Sequence, residues 1–238
     1  MMLQLPLNIG LSDAASFANF TPEGNEVAYA ALQNLLSRQT SNYCIYLWGA
    51  PGTGKSHLLQ ATCHALSQAQ AVPAYLPLKQ VSRSGIDLLE GLENLDVVCI
   101  DDLGAIAGVA QWERALFELF NQLRDAQVPL IFSAHAPPQQ LGLQLPDLIS
   151  RLTWGGVYPL QSLNEVETVH ALQKRAQDYG WTLPEEVARY LIKHCARDMP
   201  SLIAWLQRLD YASLAARHKI TIPFVRQLLF QSTPASKA

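Results

Sequence analysis

The octapeptide Gly49-Ala50-Pro51-Gly52-Thr53-Gly54-Lys55-Ser56 decides how the rest of the chain is read. It fulfils the pattern G-x-x-x-x-G-K-[ST], in which glycines let successive backbone N–H groups turn toward a phosphate while a lysine and a hydroxyl complete the cradle. Its flanks suit that reading. Residues 43–48 (YCIYLW) form a short apolar, aromatic run that predicts a strand, and residues 55–70 repeat Leu58, Leu59, Thr62, Cys63 and Leu66 at helical spacing. Strand, turn and helix in that order aim a helix N-terminus at a bound anion. Gly49, Pro51, Gly52, Thr53, Gly54, Lys55 and Ser56 are therefore the candidate phosphate contacts, with Lys55 reaching the β and γ phosphates and Ser56 ligating Mg²⁺. The bland alternative, a Gly/Pro turn that happens to precede a helix, requires neither that strand nor that amphipathic helix.

A phosphate loop of this kind needs a carboxylate on the metal side. Val97-Val98-Cys99-Ile100-Asp101-Asp102 supplies one at the end of an apolar run, with Asp101 for the Mg²⁺ shell and Asp102 to orient or deprotonate an attacking water. Such a run usually marks only a solvated strand end, so it takes its meaning from the upstream loop. Further apolar runs at 73–78, 130–134 and 156–160 alternate with helical patterns at 86–92 and 111–126, the latter striped by Trp112, Ala115, Leu116, Leu119 and Leu123. Continuous apolar strands separated by helices predict an α/β fold with a parallel sheet buried on both faces. Ser133, near the end of the 130–134 run, either places a hydroxyl beside the γ phosphate or is a serine at a strand exit. Arg151, on a short predicted helix before the last strand, is either a solvated surface group or a guanidinium that reaches a nucleotide on another subunit.

Beyond residue 160 the strand signals stop. Helical patterns at 165–179, 184–195, 201–217 and 223–230 predict a small all-helical domain, with Pro184 and Pro223 in first turns after Thr182 and Thr221 as caps. The expected division is a flexible segment at 1–16, an α/β nucleotide-binding domain at 17–161, a helical domain at 162–231 and a tail at 232–238, which 238 residues accommodate at ~150 residues per domain. Seventeen Lys+Arg against twenty Asp+Glu give a net charge of -3, which argues against a module devoted to gripping duplex phosphates. No apolar stretch nears the ~20 residues of a membrane span, and Met1-Met2-Leu3-Gln4-Leu5-Pro6 lacks the regions of a signal peptide, so a cytoplasmic protein is expected. Cys44, Cys63, Cys99 and Cys195 read as reduced core residues. The six histidines form no ligand cluster, and Trp48, Trp112, Trp154, Trp181 and Trp205 read as packing residues on core stripes or turns.

Strand, phosphate loop, a strand ending in Asp-Asp, a polar strand exit, an Arg-bearing helix and a helical lid follow one another as in the AAA+ ATPases. Finer likenesses lie in Ser16-Phe17-Ala18-Asn19-Phe20, Tyr46-Leu47-Trp48-Gly49, Gly54-Lys55-Ser56-His57-Leu58-Leu59, Leu145-Pro146-Asp147-Leu148, Ser150-Arg151-Leu152-Thr153-Trp154-Gly155 and Thr221-Ile222-Pro223-Phe224-Val225. Through these, from Gln4 to about Leu229, the chain resembles the DnaA family of AAA+ ATPases, and within it the short DnaA-like members that inactivate the replication initiator. The resemblance implies a P-loop AAA+ core with a small helical lid, bound to ADP or ATP with Mg²⁺. It makes Arg151 an arginine finger, Ser133 the first sensor, Asp101 and Asp102 the catalytic carboxylates, and residues 17–25, Phe20 among them, part of the adenine pocket with His57 beside the loop. It also puts Pro200 where the initiator's lid carries a second-sensor arginine, which implies weak intrinsic ATPase activity unless Arg197 substitutes from one turn earlier.

Gln4-Leu5-Pro6-Leu7 resembles the Gln-Leu-x-Leu peptide that docks replication proteins on the DNA polymerase III sliding clamp, which makes Gln4, Leu5 and Leu7 candidate partner contacts. The implied function is negative regulation of bacterial chromosome replication initiation: with the DNA-loaded clamp, the nucleotide-bound protein stimulates hydrolysis of ATP held by DnaA. It would meet DNA mainly through the clamp and no membrane, with a homodimer as a possible form. A DnaC-like helicase loader is the alternative, although about forty residues before the first core strand are few for a helicase-binding domain.

Overall fold

The structure, a computed structural model, describes residues 15–37, 43–195, 198–216 and 219–232. The apolar runs become β1 (Cys44–Trp48), β2 (Pro73–Pro77), β3 (Val97–Asp101), β4 (Leu130–Ala134) and β5 (Gly156–Pro159). They form one parallel sheet in the order β2-β3-β4-β1-β5. Because every strand runs the same way, the phosphate loop after β1, Asp101 of β3 and Ser133 of β4 emerge at one rim. The register sets Leu47 beside Ser133 and Pro77 beside Asp101.

Alternation along each strand divides the sheet's apolar side chains between two layers of core. Ile45, Leu47, Val97, Cys99 and Ile131 point to one face, where α1 (Glu26–Leu36) and α2 (Lys55–Gln68) cover them with Leu32, Leu35, Leu58 and Leu59. Tyr46, Val98, Ile100, Leu130 and Phe132 point to the other. The one-turn α3 (Leu78–Val81) follows β2, and the second face is packed by α4 (Ala110–Asp125) and α5 (Pro146–Leu152) through Leu116, Leu119, Leu123, Leu148 and Leu152. Burial on both faces is why these strands read as continuous apolar runs.

Two local expectations change. The pattern at 86–92 is no α-helix; it resolves into 3₁₀ turns at Ile86–Leu89 and Leu92–Asn94, divided by Gly91 at φ +77. That left-handed residue stops an α-helix from propagating. Helix α1 carried no expectation at all. Residues 1–14 of the segment expected to be flexible lie outside the described residues, whereas Ala15 is buried.

Contacts between Cα atoms divide the chain into two compact units, Met1–Ser162 and Leu163–Ala238. The second holds α6 (Glu165–Asp178), α7 (Glu185–His194), α8 (Met199–Ala216) and α9 (Ile222–Ser232) around its own core of Val169, Leu172, Val187, Leu191, Leu206 and Val225. Helix α6 opens with a reciprocal cap in which Asn164 Oδ1 accepts from Glu167 N–H at 3.0 Å and Glu167 Oε2 from Asn164 N–H at 2.7 Å. Pro184 itself occupies the cap of α7 at φ -62°, so Thr182 is not the capping residue expected there. Asp198 Oδ1 accepts the Ser201 N–H at 2.9 Å, which leaves Pro200 in the first turn of α8, where a missing N–H costs nothing. Among the described residues no helix is long and apolar enough to cross a membrane.

Candidate functional site

The turn between β1 and α2 is shaped by close approach. A Cβ on Gly49 would lie 2.4 Å from the Leu160 carbonyl oxygen. Gly54 caps α2 at φ +92, and a Cβ there would lie 2.7 Å from the Phe20 ring. The N–H groups of the first turn of α2 have no helical acceptor, and the helix dipole adds partial positive charge at the same end. Lys55 is 8% exposed, and its Nζ donates to the Gly49 and Ala50 carbonyls at 2.8 Å each and to Thr53 Oγ1 at 3.3 Å. Burial pulls its pKa down, while the carboxylates of Asp102 and Asp101 act in the opposite direction. A buried ammonium bonded only to neutral oxygens, at a helix N-terminus, fits a polyphosphate.

At the end of β3, Asp101 is 3% exposed and held from three sides. The Tyr75 hydroxyl, from β2, donates to Oδ2 at 2.5 Å, and Gln60 Nε2, from α2, donates in turn to the Tyr75 oxygen at 3.1 Å. The Ser133 hydroxyl, from β4, donates to Oδ1; the Asp102 N–H reaches the same oxygen at 3.2 Å and Ser133 Oγ at 3.0 Å. Burial and then Asp101 hold the Tyr75 phenol protonated far above its ordinary range, so it serves as a donor. An ionised carboxylate offers about four lone-pair sites. Three are filled by protein donors, which leaves Asp101 room for one more, such as a water on a metal ion. Among the described residues no three His, Cys, Asp or Glu side chains could cage a metal. Mg²⁺ fits this donor set, because it is usually held by one or two carboxylates together with phosphate oxygens.

Asp102 follows in the left-handed conformation, φ +57 and ψ +51. Such backbone is uncommon outside glycine, although Asp and Asn adopt it more readily than other residues. The side chain is half-buried, and its pKa is raised first by desolvation and then by Asp101, against the opposing effects of Lys79, Lys55 and His135. A carboxylate moved in that direction is a better base near neutral pH than an exposed one.

Phe20 stacks on Tyr29 with centroids 6.0 Å apart and an interplanar angle of 13°, and its ring lies 5.8 Å from the His57 ring. His57 Nε2 is 2.9 Å from the Ser16 carbonyl oxygen. Asn25, 3% exposed, ties this segment to the chain leaving β5: its Nδ2 donates to the Gln161 carbonyl at 3.1 Å and its Oδ1 accepts the Gln161 N–H at 2.7 Å.

Arg151 has separate surroundings. It sits in the last turn of α5 with its guanidinium 3.9 Å from the Trp154 ring centroid and 6.0 Å from that of Phe117. Trp154 is 61% exposed, which corrects its reading as a packing residue; its ring is a platform for the arginine rather than a filler of core. The structure thus brings the 49–56 loop, Phe20, His57, Asp101, Asp102 and Ser133 to one rim and leaves Arg151 on its own helix end. Gln4, Leu5, Leu7 and Arg197 lie outside the described residues. Sequence reasoning missed Tyr75 and Gln60, and within the 17–25 segment it missed the pairing of Asn25 with Gln161. Only Asn25 carried a local signal, as a capping residue type just before Glu26.

The family of the bacterial DnaA ATPase domain matches residues 11–158, and that of the Hda lid domain matches residues 165–229. Among solved structures, domain III of the Thermotoga maritima replication initiation protein DnaA superposes with a TM-score of 0.80 at 22% identity, over 93% of this chain and 98% of that one. AMPPCP-bound DnaA from Aquifex aeolicus gives 0.72 at 22% identity, over 84% of this chain and 66% of that one. A replication initiator DnaA bound to AMPPCP and single-stranded DNA also gives 0.72 at 22% identity, over 84% and 65%. A parallel P-loop sheet with a carboxylate pair on its third strand, joined to a lid of the Hda type, places the chain in the DnaA family of AAA+ ATPases, as a Hda/DnaA-like member.

Proposed function

We propose that this protein is a negative regulator of bacterial replication initiation, which carries a bound adenine nucleotide and stimulates hydrolysis of ATP held by DnaA. The observation that carries the reading is Arg151, in the last turn of α5 and stacked on the exposed Trp154. A guanidinium presented on an aromatic platform at a surface suits donation to a phosphate on another protein, where such a finger contributes on the order of 10³ or more in rate.

In this chain's own site, the backbone of residues 49–54 and the first turn of α2 bind the phosphates, Lys55 turns from its carbonyl partners to them, and Phe20 with His57 borders the base. Ser56 and Asp101 would hold Mg²⁺, which when bound neutralises phosphate charge. Tyr75 and Ser133 keep Asp101 in one orientation, and Asp102 is the base available for a slow intrinsic hydrolysis. Pro200 offers no guanidinium from the lid, which supports a nucleotide held as a structural ligand more than one turned over. Gln4, Leu5 and Leu7 dock on the sliding clamp, so the protein meets DNA through the clamp in the cytoplasm, alone or as a homodimer.

The test follows labelled ATP held by DnaA as it converts to ADP. Clamp-loaded DNA is expected to accelerate conversion with the wild-type protein and not with a Gln4→Ala/Leu7→Ala variant. Equal conversion with and without the clamp, or by both proteins, contradicts the clamp's part in the reading.

A further inference from the structure

Glu113 is a carboxylate on the apolar face of α4, 1% exposed. A buried charge of this kind is tolerated only when it is fully hydrogen-bonded. Its partners are three backbone N–H groups: Gly108 donates to Oε1 at 2.7 Å, and Gln144 and Leu145 donate to Oε2 at 2.8 and 2.7 Å. Gly108 lies just before α4. Gln144 and Leu145 lie 31 and 32 residues away in sequence, in the irregular stretch that enters α5. Leu145 is the capping residue of that helix, with Pro146 following, so the carboxylate fastens the start of the element whose last turn carries Arg151.

One turn along α4, on the same face, Phe117 lies under the Arg151 guanidinium at 6.0 Å. Helix α4 therefore holds α5 at both ends, with a charged clasp at the entry and an aromatic contact at the exit, while Leu148 and Leu152 sink into the core between them. A seven-residue helix has little stability of its own, so its position depends on these attachments. We infer that Glu113 is a positioning residue for the arginine finger: by holding the entry to α5 it sets where Arg151 stands when a partner's nucleotide is presented. Glu113 touches no nucleotide and takes no part in the 49–56 cradle. The inference rests on the function proposed above.

The experiment is a double-mutant cycle of Glu113→Gln and Arg151→Ala in the full chain, read as conversion of labelled ATP on DnaA with clamp-loaded DNA. The amide of glutamine cannot supply both acceptor oxygens, so the clasp opens. A displacement near 1 Å at a positioned group can cost roughly 10²-fold in rate. Glu113→Gln is expected to lower the stimulated rate by at least about tenfold, to lower the residual rate of Arg151→Ala no further, and to leave ADP affinity within about twofold, a change of under ~0.5 kcal/mol. Leu145→Pro is the companion variant. It deletes one accepted N–H, together with a leucine side chain that packs against the core, at a residue whose extended backbone, φ -88 and ψ +106, is about 23° from proline's preferred φ. The two variants should behave alike, and if Glu113→Gln fails to fold, Leu145→Pro decides.

Stimulation within about twofold of wild type, a separate loss added to that of Arg151→Ala, or a matching fall in ADP affinity overturns the inference, the last by making Glu113 a general structural residue. An Arg151→Ala protein as active as wild type instead overturns the function proposed above, and this inference with it. A dead Arg151→Ala beside a fully active Glu113→Gln overturns the inference alone.

Discussion

The two regions proposed to meet phosphate, the loop after β1 and the end of α5, are built in opposite ways. At the rim of β1, β3 and β4, polar groups are buried and cross-linked: Lys55 is bonded to three loop oxygens, and Asp101 receives donors from Tyr75, Ser133 and the Asp102 N–H. At the end of α5, Arg151 rests on an exposed ring. The first arrangement is largely buried and pre-organised, suited to gripping a ligand for a long time. The second keeps its cation in place by stacking, which is weak enough to exchange for a stronger anionic partner. On the proposed reading, buried and over-determined groups suit a resident nucleotide, and a half-buried cation held only by ring contacts suits one on another protein.

The largest test of that contrast is Lys55→Ala, which removes a charged donor from the cradle. Interactions of this class contribute ~1.5–3 kcal/mol each, so ADP affinity by calorimetry should fall roughly 10- to 100-fold. Arg151→Ala should leave the same affinity unchanged; a parallel loss would mean that the two regions are one site. Next comes Tyr75→Phe. It strips the hydroxyl from Asp101 Oδ2 and leaves a buried acceptor without its donor, at about 1–3 kcal/mol of stability, read as a lower denaturant midpoint. An unmoved midpoint would show that the Asp101 network is not over-determined.

Asp102→Asn tests the electrostatics with a predictable sign. Desolvation raises the Asp102 pKa in the folded state, so its anion opposes folding, and that cost is absent below the unfolded-state pKa and grows as pH rises through the folded-state value. Asn tolerates the left-handed backbone and carries no charge. The variant should therefore melt higher than wild type at neutral pH and equally in acid, while losing intrinsic hydrolysis. In the wild type that hydrolysis should fall with acidification at a pH above the ordinary carboxylate range. The smallest effect belongs to Trp154→Ala. A cation–π contact at an exposed site contributes about 0.5–1 kcal/mol, so stimulation of DnaA-bound ATP hydrolysis should drop only about two- to fivefold, with ADP affinity untouched.

Much of this architecture was legible because its causes are local. Strands buried on both faces betray themselves as continuous apolar runs, and the 49–56 loop is contiguous, so β1, β3 and β4 and the cradle after β1 stand where the pattern puts them. What escaped depends on distance. Tyr75 meets Asp101 across neighbouring strands and Asn25 meets Gln161 over 136 residues, pairings that no window along the chain reveals. Glu113 did leave a trace, as a charge one step from Trp112 and three before Leu116 on an otherwise apolar stripe. The misreadings at 86–92 and at Trp154 have a shared cause. Apolar content alone reads as helix or core, whereas Gly91 breaks the helix and Arg151 accounts for the exposed ring.

The most direct test of the account is single-turnover hydrolysis of labelled ATP held by DnaA, with clamp-loaded DNA and either wild-type or Arg151→Ala protein at matched nucleotide occupancy. Conversion to ADP is expected to be rapid with the wild type and to run near the rate of DnaA alone with Arg151→Ala, a difference of roughly 10³-fold or more. Equal rates with the two proteins would contradict it.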